Sequence, residues 1–465
     1  MLRKALLILS GNAAASLLLL ARNLIVARII PVADYGIAST FALAMAVVEM
    51  TTAFGLQQQI VQSKDGDDPR FQAALQGFQL LRGVVSGLIL FLLAAPLARF
   101  MGIPEVIWAY QILAIVPVLN ALAHFDIYRL NRQMRFGPLL LTGAVSAGVA
   151  LALIWPLTVW FADWRVMLWS IIAQAVVMVM TSHLTAERPY RLVWSTTVVA
   201  GSLRFGWPLL VNGILMFLVF QGDKLIVGHI MGMEALAIFA MGVTLTLAPT
   251  LVLAQSAQDL FLPKLSQRAG SQDFALTAQQ TMQIVSLAAL IFTLVTVLIG
   301  GPVLSLLLGA KYAELLPLLV WFAAGQALRV MKAGPAIVAL SMGQTANAMV
   351  ANLVRVLSLP LAWIAATQGS GLLVVLVIAL TGEGLSLVMS IWLMLRRTPL
   401  PAARIFGQQA AIAILILAAG GLAWYQPSGA SPAPWPMWLA SGIALIVALA
   451  IMPETTRGFR SMRMR

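Results

Sequence analysis

The sequence predicts an all-α polytopic membrane protein of about 14 transmembrane helices. Of its 465 residues, 61% are hydrophobic and only 10% charged, with a mean hydropathy of +0.94, whereas soluble domains lie near half apolar and a quarter charged. Apolar runs long enough to span a bilayer, roughly 20 residues each, recur along the whole chain. Lys and Arg between the runs alternate between dense and sparse from one loop to the next.

The runs fall near 5–30, 35–62, 71–98, 106–126, 138–161, 165–184, 205–231, 235–257, 277–299, 314–339, 345–367, 371–395, 408–425 and 437–452. The first opens MLRKALLILSGNAAASLLLLARN, with the basic start and small-residue patch of a signal peptide. Its apolar character continues through LIVARII, too long for a cleaved leader, so it reads as a span. The longest inner loop, about 258–276, and the longest outer loop, YQPSGASPAPWP, are too small for a soluble catalytic domain. The connector TAERPYRLVWSTTVVAGSLR is basic enough to lie on a membrane surface.

Charge sets the orientation. With a cytoplasmic N-terminus, nineteen of the 29 Lys and Arg fall on inner segments and only Arg99, Arg165 and Lys311 on outer loops, which the positive-inside rule reads as both termini cytoplasmic. The same asymmetry accounts for most of the net charge of +13 without nucleic acid. No cysteine and three unclustered histidines leave no basis for a metal site, and no cofactor motif is present: GEG at 382–384 lacks the context of a phosphate loop.

The chain echoes itself. At an offset of 201, Leu24-Ile25-Val26 falls on Leu225-Ile226-Val227 and Asn23 on Lys224; at 208, Met134 falls on Met342 and Pro117 on Gly325. Both offsets link helices six apart. They predict two parallel six-helix lobes, 1–190 and 205–397, a cytoplasmic linker over 191–204, and a terminal pair with a basic tail over 398–465.

Ten charges lie inside the runs: the bases Arg22, Arg28, Arg82, Lys224, Arg329, Lys332 and Arg355, and the acids Glu49, Asp223 and Glu383. At about 2.5–3.5 kcal/mol each, seven lipid-facing bases would cost roughly 17–25 kcal/mol. They are expected to face protein or water, with Asp223 paired to its chain neighbours. Arg28 and Lys332 lie nearer helix ends, where snorkelling is cheap. Arg329 and Lys332, three residues apart, share a helix face. The excess of base over acid predicts a cationic cavity formed by Arg22, Arg82, Lys224, Arg329, Lys332 and Arg355, with Glu49, Asp223 and Glu383 as seam or coupling acids. Gln57–Gln59, Asn120, Asn212, Gln221, Gln326 and Asn352 add polar groups suited to a sugar. The bland alternatives are structural ion pairs for the charges and close helix packing for the pairs Gly83/Gly87 and Gly228/Gly232. Pro208, Pro249 and Pro335 would kink helices. No catalytic constellation emerges, so the expectation is a protein that is not an enzyme.

The segments RFGWPLLVNGILMFLVFQGDKLIVGHIMGMEALAIFAMG, RQMRFGPLLL and ARNLIVARIIPVADYGIAS resemble the Wzx-type polysaccharide flippases of the multidrug/oligosaccharidyl-lipid/polysaccharide exporter superfamily. The most particular positions are Asp223, Arg132–Phe136 and Asp34–Gly36. The resemblance implies a V-shaped pair of six-helix lobes plus a terminal pair in the bacterial inner membrane. It also implies translocation of an undecaprenyl-pyrophosphate-linked oligosaccharide by alternating access, for exopolysaccharide, O-antigen or capsule synthesis, with polymerase and export machinery as partners. A lipid II flippase and a cation-coupled multidrug exporter of the same superfamily are the alternatives. Excess base in the cavity argues against the exporter.

Overall fold

The computed structural model describes residues 2–52, 54–271, 273–425 and 433–454; most of the outer loop YQPSGASPAPWP and the tail arginines Arg457, Arg460, Arg463 and Arg465 lie outside them. The described residues form helices without a strand. Eleven helices are long and apolar enough to cross a membrane, and the chain is a multi-pass membrane protein. That number differs from the expected fourteen partly because Thr196–Gln267 is a single 72-residue element. At about 1.5 Å per residue it would exceed three bilayer cores in length, and it breaks at Gly232 (φ 88°, ψ −179°). Leu2–Ile29 and the 16-residue Trp435–Ala450 are further helices outside the eleven.

Two compact units make up the chain. The first comprises Met1–Gln221 with Gly232–Ala237, the second Gly222–Met231 with Ile238–Arg465. In the first, residues 202–213 pack on the last turn of Val32–Thr51 and the region after it: Ser202 donates to Gln59 Oε1 (2.7 Å), and a Cβ on Gly206 or Gly213 would strike the backbone of Phe54 or Met50. Gly36, from the Asp34–Gly36 motif, is equally constrained, since a Cβ there would lie 1.9 Å from the Met233 carbonyl.

The internal repeat is visible in the backbone of each unit. Pro69–Phe100 ends before left-handed Gly102 and a short 3-10 turn at Pro104–Val106. Asp273–Leu308 ends before left-handed Gly309 and a turn at Ala310–Tyr312. Met134 (φ 61°) answers to Gly343 (φ 76°), and Ala162 (φ 51°) to Gly369 (φ 81°). Near Met134 and Gly343 the chain leaves its helix by the same bonds, Arg135 N to Leu130 O and Gln344 N to Ala339 O, both 2.9 Å, as a left-handed C-terminal cap requires. In these last two pairs glycine supplies the positive φ in the second unit and Met or Ala in the first, where a side chain carries strain.

Packing corrects two expectations. The expected loop at 258–276 is mostly helix, continuous to Gln267 and resuming at Asp273; Phe261 and Leu265, one turn apart, are buried in the second unit's core and hold that end in helical register. Gly83 and Gly87 do mark close packing, for a Cβ on Gly83 would sit 2.1 Å from Ala121 Cβ. Gly232 does not: a Cβ there would meet nothing, and glycine serves its positive φ instead. Pro208, Pro249 and Pro335 all lie inside helices. Ala402–Tyr425 and Trp435–Ala450 pack on Asp273–Leu308. Glu454 ties that group together, bonded to Arg404 (2.5 Å) and to the Gln283 amide.

Candidate functional site

The intramembrane charges of the second unit converge on one residue. Glu383, 4% exposed at its side chain, lies on Leu372–Leu395 and accepts through Oε1 from Arg329 Nη2 (2.5 Å) and Arg355 Nε (3.2 Å), and through Oε2 from Lys332 Nζ (3.2 Å). Arg355 reaches further, its Nη2 donating to Asp223 Oδ2. Three cations thus share two carboxylates. Arg329 and Lys332 come from one face of Leu315–Ser341, Arg355 from Ala346–Val356, and Asp223 from the stretch just before the break at Gly232.

Local sequence explains how the helices approach. Gly382 is the residue that lets Arg355 and Ser358 in: a Cβ there would lie 2.6 Å from Ser358 Oγ and 3.3 Å from Arg355 Cδ. Ser358, three residues after Arg355, accepts from its Nη1 (2.5 Å). Ser386, three after Glu383, accepts from Lys332 Nζ (3.0 Å), as does Asn352 Oδ1 (3.1 Å). Sequence reasoning missed both serines. The i,i+3 spacing of each from a buried charge is the signal that could have found them.

Asp223 is paired with Arg355, not with Lys224 as expected from adjacency. Consecutive helical residues point about 100° apart and do not face each other. The Lys224 ammonium forms no ion pair among the described residues and is partly exposed. Asp223 keeps Oδ1 buried without a hydrogen bond among the described residues. His229 stacks on Trp363 at 5.3 Å.

The first unit holds the other predicted charges separately. Arg22, 9% exposed, donates to Gln174 Oε1 (2.7 Å) and meets no carboxylate among the described residues. Arg82 donates to the Thr52 carbonyl (3.0 Å), capping the C-terminus of Val32–Thr51, where a cation is favoured. Glu49 accepts from Asn120 (3.3 Å) and feels Arg82 through space without an ion pair. Arg28 is exposed.

A second polar cluster closes the basic end of this unit. Asp126 is ion-paired to Arg129 (2.5 Å) and accepts from the backbone N–H of Glu187 and Arg188. Burial works to raise the Asp126 pKa, but these donors outweigh it and hold the carboxyl below its ordinary range. Burial lowers the His124 imidazole against the pull of Asp126; its ring meets those of His183 and Tyr190. Arg132 bonds Asp67 and Arg135 bonds Glu187, so the Arg132–Phe136 motif serves an ion-pair belt. No cluster of metal-ligating residues occurs among the described residues.

Residues 25–317 match a family described as Polysaccharide biosynthesis protein. The chain belongs to this family. Solved structures share the fold. The lipid II flippase MurJ in an inward closed conformation superposes with a TM-score of 0.70 over 99% of this chain and 100% of its own, at 13% identity. An inward-facing multidrug resistance MATE family transporter of the MOP superfamily gives 0.66 over 84% and 96%, at 15% identity. A mutant of the Vibrio cholerae MATE transporter VcmN gives 0.57 over 85% and 96%, at 18% identity. No curated protein matches in sequence. A member of this polysaccharide biosynthesis family thus has the MATE and MurJ fold, with Arg329, Lys332 and Arg355 gathered on Glu383.

Proposed function

We propose that this protein is a flippase for a polyprenyl-diphosphate-linked glycan, undecaprenyl pyrophosphate being the carrier, in the bacterial inner membrane with both termini cytoplasmic. The observation that carries the reading is the cationic excess around Glu383: Arg329, Lys332 and Arg355 against Glu383 and Asp223, with Lys224, next to Asp223 in sequence, forming no ion pair among the described residues. Ionisable groups inside membrane spans mark substrate pathways. A diphosphate offers the forked acceptor geometry that guanidinium groups match. Membership of a polysaccharide biosynthesis family and a fold shared with a lipid II flippase support the same reading.

In this reading the carboxylates are resident counterions that a diphosphate displaces. Arg329 and Lys332, 18% and 12% exposed, are the groups that exchange. Arg355, 2% exposed and held between Asp223 and Glu383, positions them. Drawing Glu383 away from Arg355 loosens the link to Asp223 beside the break at Gly232, and a substrate shifts the equilibrium by its differential affinity for the two arrangements. A cation-coupled drug exporter would want the opposite charge balance. The glycan passes to a polymerase and export machinery on the far side.

Proteoliposomes carrying a fluorescent polyprenyl-diphosphate glycan test the proposal. Lys332→Gln, which removes a group that exchanges, and Asp223→Asn, which releases Arg355, are expected to slow translocation at normal membrane abundance. Normal rates in both variants would overturn the assignment of these residues, and no translocation by the wild type would overturn the function.

A further inference from the structure

A separate pocket lies at the basic end of the first unit, lined by none of the residues of the Glu383 cluster. Its volume is about 240 Å³, and Pro69, Gln72, Gln76, Arg188, Pro189 and Arg191 line it. At about 30 Å³ per water, that is room for a phosphoryl group with part of the molecule bearing it. The walls are the first two turns of Pro69–Phe100 and the connector around 188–193.

The pocket is built rather than incidental. The connector is tied to the helix by Val193 N to Ala73 O (3.2 Å). It approaches so closely that a Cβ on Gly77 would lie 2.5 Å from the Val193 carbonyl. Arg188 donates to Gln72 Oε1 (3.0 Å) and to the Asp67 carbonyl (2.8 Å). Both acceptors are neutral, so its guanidinium is fixed in place with its charge uncompensated by any carboxylate among the described residues. Arg191 is exposed and likewise unpaired among them. Gln76 is 1% exposed. Phe125 N donates to its Oε1 (3.3 Å), which fixes Nε2 as the donor end, and Nε2 completes no hydrogen bond of good geometry among the described residues. The nearby Tyr190 hydroxyl is the group that Gln76 meets, at a geometry short of a full hydrogen bond. The N-terminus of a helix favours an anion. The carboxylate of the helix cap, Asp68, is engaged by Arg70 N (3.0 Å).

We propose that this pocket binds the phosphate of an anionic phospholipid. Arg188 and Arg191 would hold the phosphate oxygens and Gln76 would donate to them. The choice of a lipid over a soluble phosphate rests on the three residues after Arg191: Leu192, Val193 and Trp194 are 48%, 44% and 58% exposed. They form an apolar strip beside a basic pocket at the ends of membrane spans, where acyl chains and headgroups meet. The inference is independent of the transported substrate, since neither arginine belongs to the Glu383 cluster.

Native mass spectrometry of the full-length protein with phosphatidylglycerol or phosphatidylcholine tests it, with inorganic phosphate as competitor. Phosphatidylglycerol is expected to be retained in preference. Arg191→Gln should weaken retention several-fold and Arg188→Gln/Arg191→Gln by about tenfold (~1.4 kcal/mol), while Lys64→Gln, a charge change elsewhere on the basic end, should leave it unchanged. Thermal midpoints in phosphatidylcholine alone confirm that Arg191→Gln is folded. Equal retention of both lipids, an undiminished signal in folded Arg191→Gln, or an equal loss in Lys64→Gln would overturn the site. Displacement of the lipid by millimolar phosphate would assign the pocket to a soluble phosphate and overturn the lipid.

Discussion

Glu383→Gln is the sharpest perturbation of the buried network. The carboxylate accepts from Arg329, Lys332 and Arg355 and is 4% exposed. Glutamine keeps the shape and one acceptor oxygen but turns a donor toward the cations. Removing one partner of a buried ion pair costs about 3–5 kcal/mol. Here Asp223 still compensates Arg355, and Arg329 and Lys332 retain partial exposure, which places the loss near the lower bound, about 3 kcal/mol. Lys332→Met deletes one of three donors and leaves Glu383 with both guanidinium groups, a loss of about 1–2 kcal/mol. Because the two residues share one interaction, the double variant should fall well short of the sum. Denaturant unfolding followed by tryptophan fluorescence, alongside membrane abundance, measures all three. Glu383→Gln within about 0.5 kcal/mol of wild type, or losses that simply add, would refute the description of Glu383 as the shared counterion.

The left-handed residues give a prediction of opposite sign. Met134→Gly and Ala162→Gly should each stabilise the protein by about 0.5–1 kcal/mol, since relief of the left-handed penalty exceeds glycine's extra chain entropy; Gly343→Ala and Gly369→Ala should destabilise it, with thermal midpoints as the readout. Acid should loosen the basic end of the first unit in two stages. His124 is held below its ordinary pKa, so its neutral form contributes stability above about pH 6.5 that is lost as pH falls through the depressed value; Asp126 is also depressed, and its contribution goes only as pH falls below about 4. Hydrogen exchange over residues 185–195 should rise in that order, and Asp126→Asn should remove the second stage.

Much of this was legible in the sequence, for identifiable reasons. Bilayer thickness makes spans readable as apolar runs, and positive-φ helix ends recur in the two units at spacings close to the longer of the two offsets. The energetic cost of intramembrane charge singled out ten residues; the structure joins Arg329, Lys332, Arg355, Asp223 and Glu383 in one network, while Arg22, Arg82 and Glu49 have other partners. What periodicity does not encode is which helix faces which. That left Asp223 assigned to its chain neighbours rather than to Arg355, 132 residues away. It left GEG as an unused motif, although Gly382 is the space into which Arg355 and Ser358 fit. The break at Gly232 was hidden for a related reason: a G-x-x-x-G spacing looks the same whether glycine serves packing or a positive φ.

The central claim is that the Glu383 cluster takes a diphosphate. Binding of farnesyl diphosphate to the purified full-length protein, followed by calorimetry in lipid nanodiscs, tests it most directly. The account predicts saturable binding that Lys332→Gln weakens about tenfold and that inorganic pyrophosphate displaces, with no binding of the lipophilic cation tetraphenylphosphonium. Farnesyl diphosphate binding that is indifferent to Lys332→Gln, or tetraphenylphosphonium binding that depends on Glu383, would contradict it.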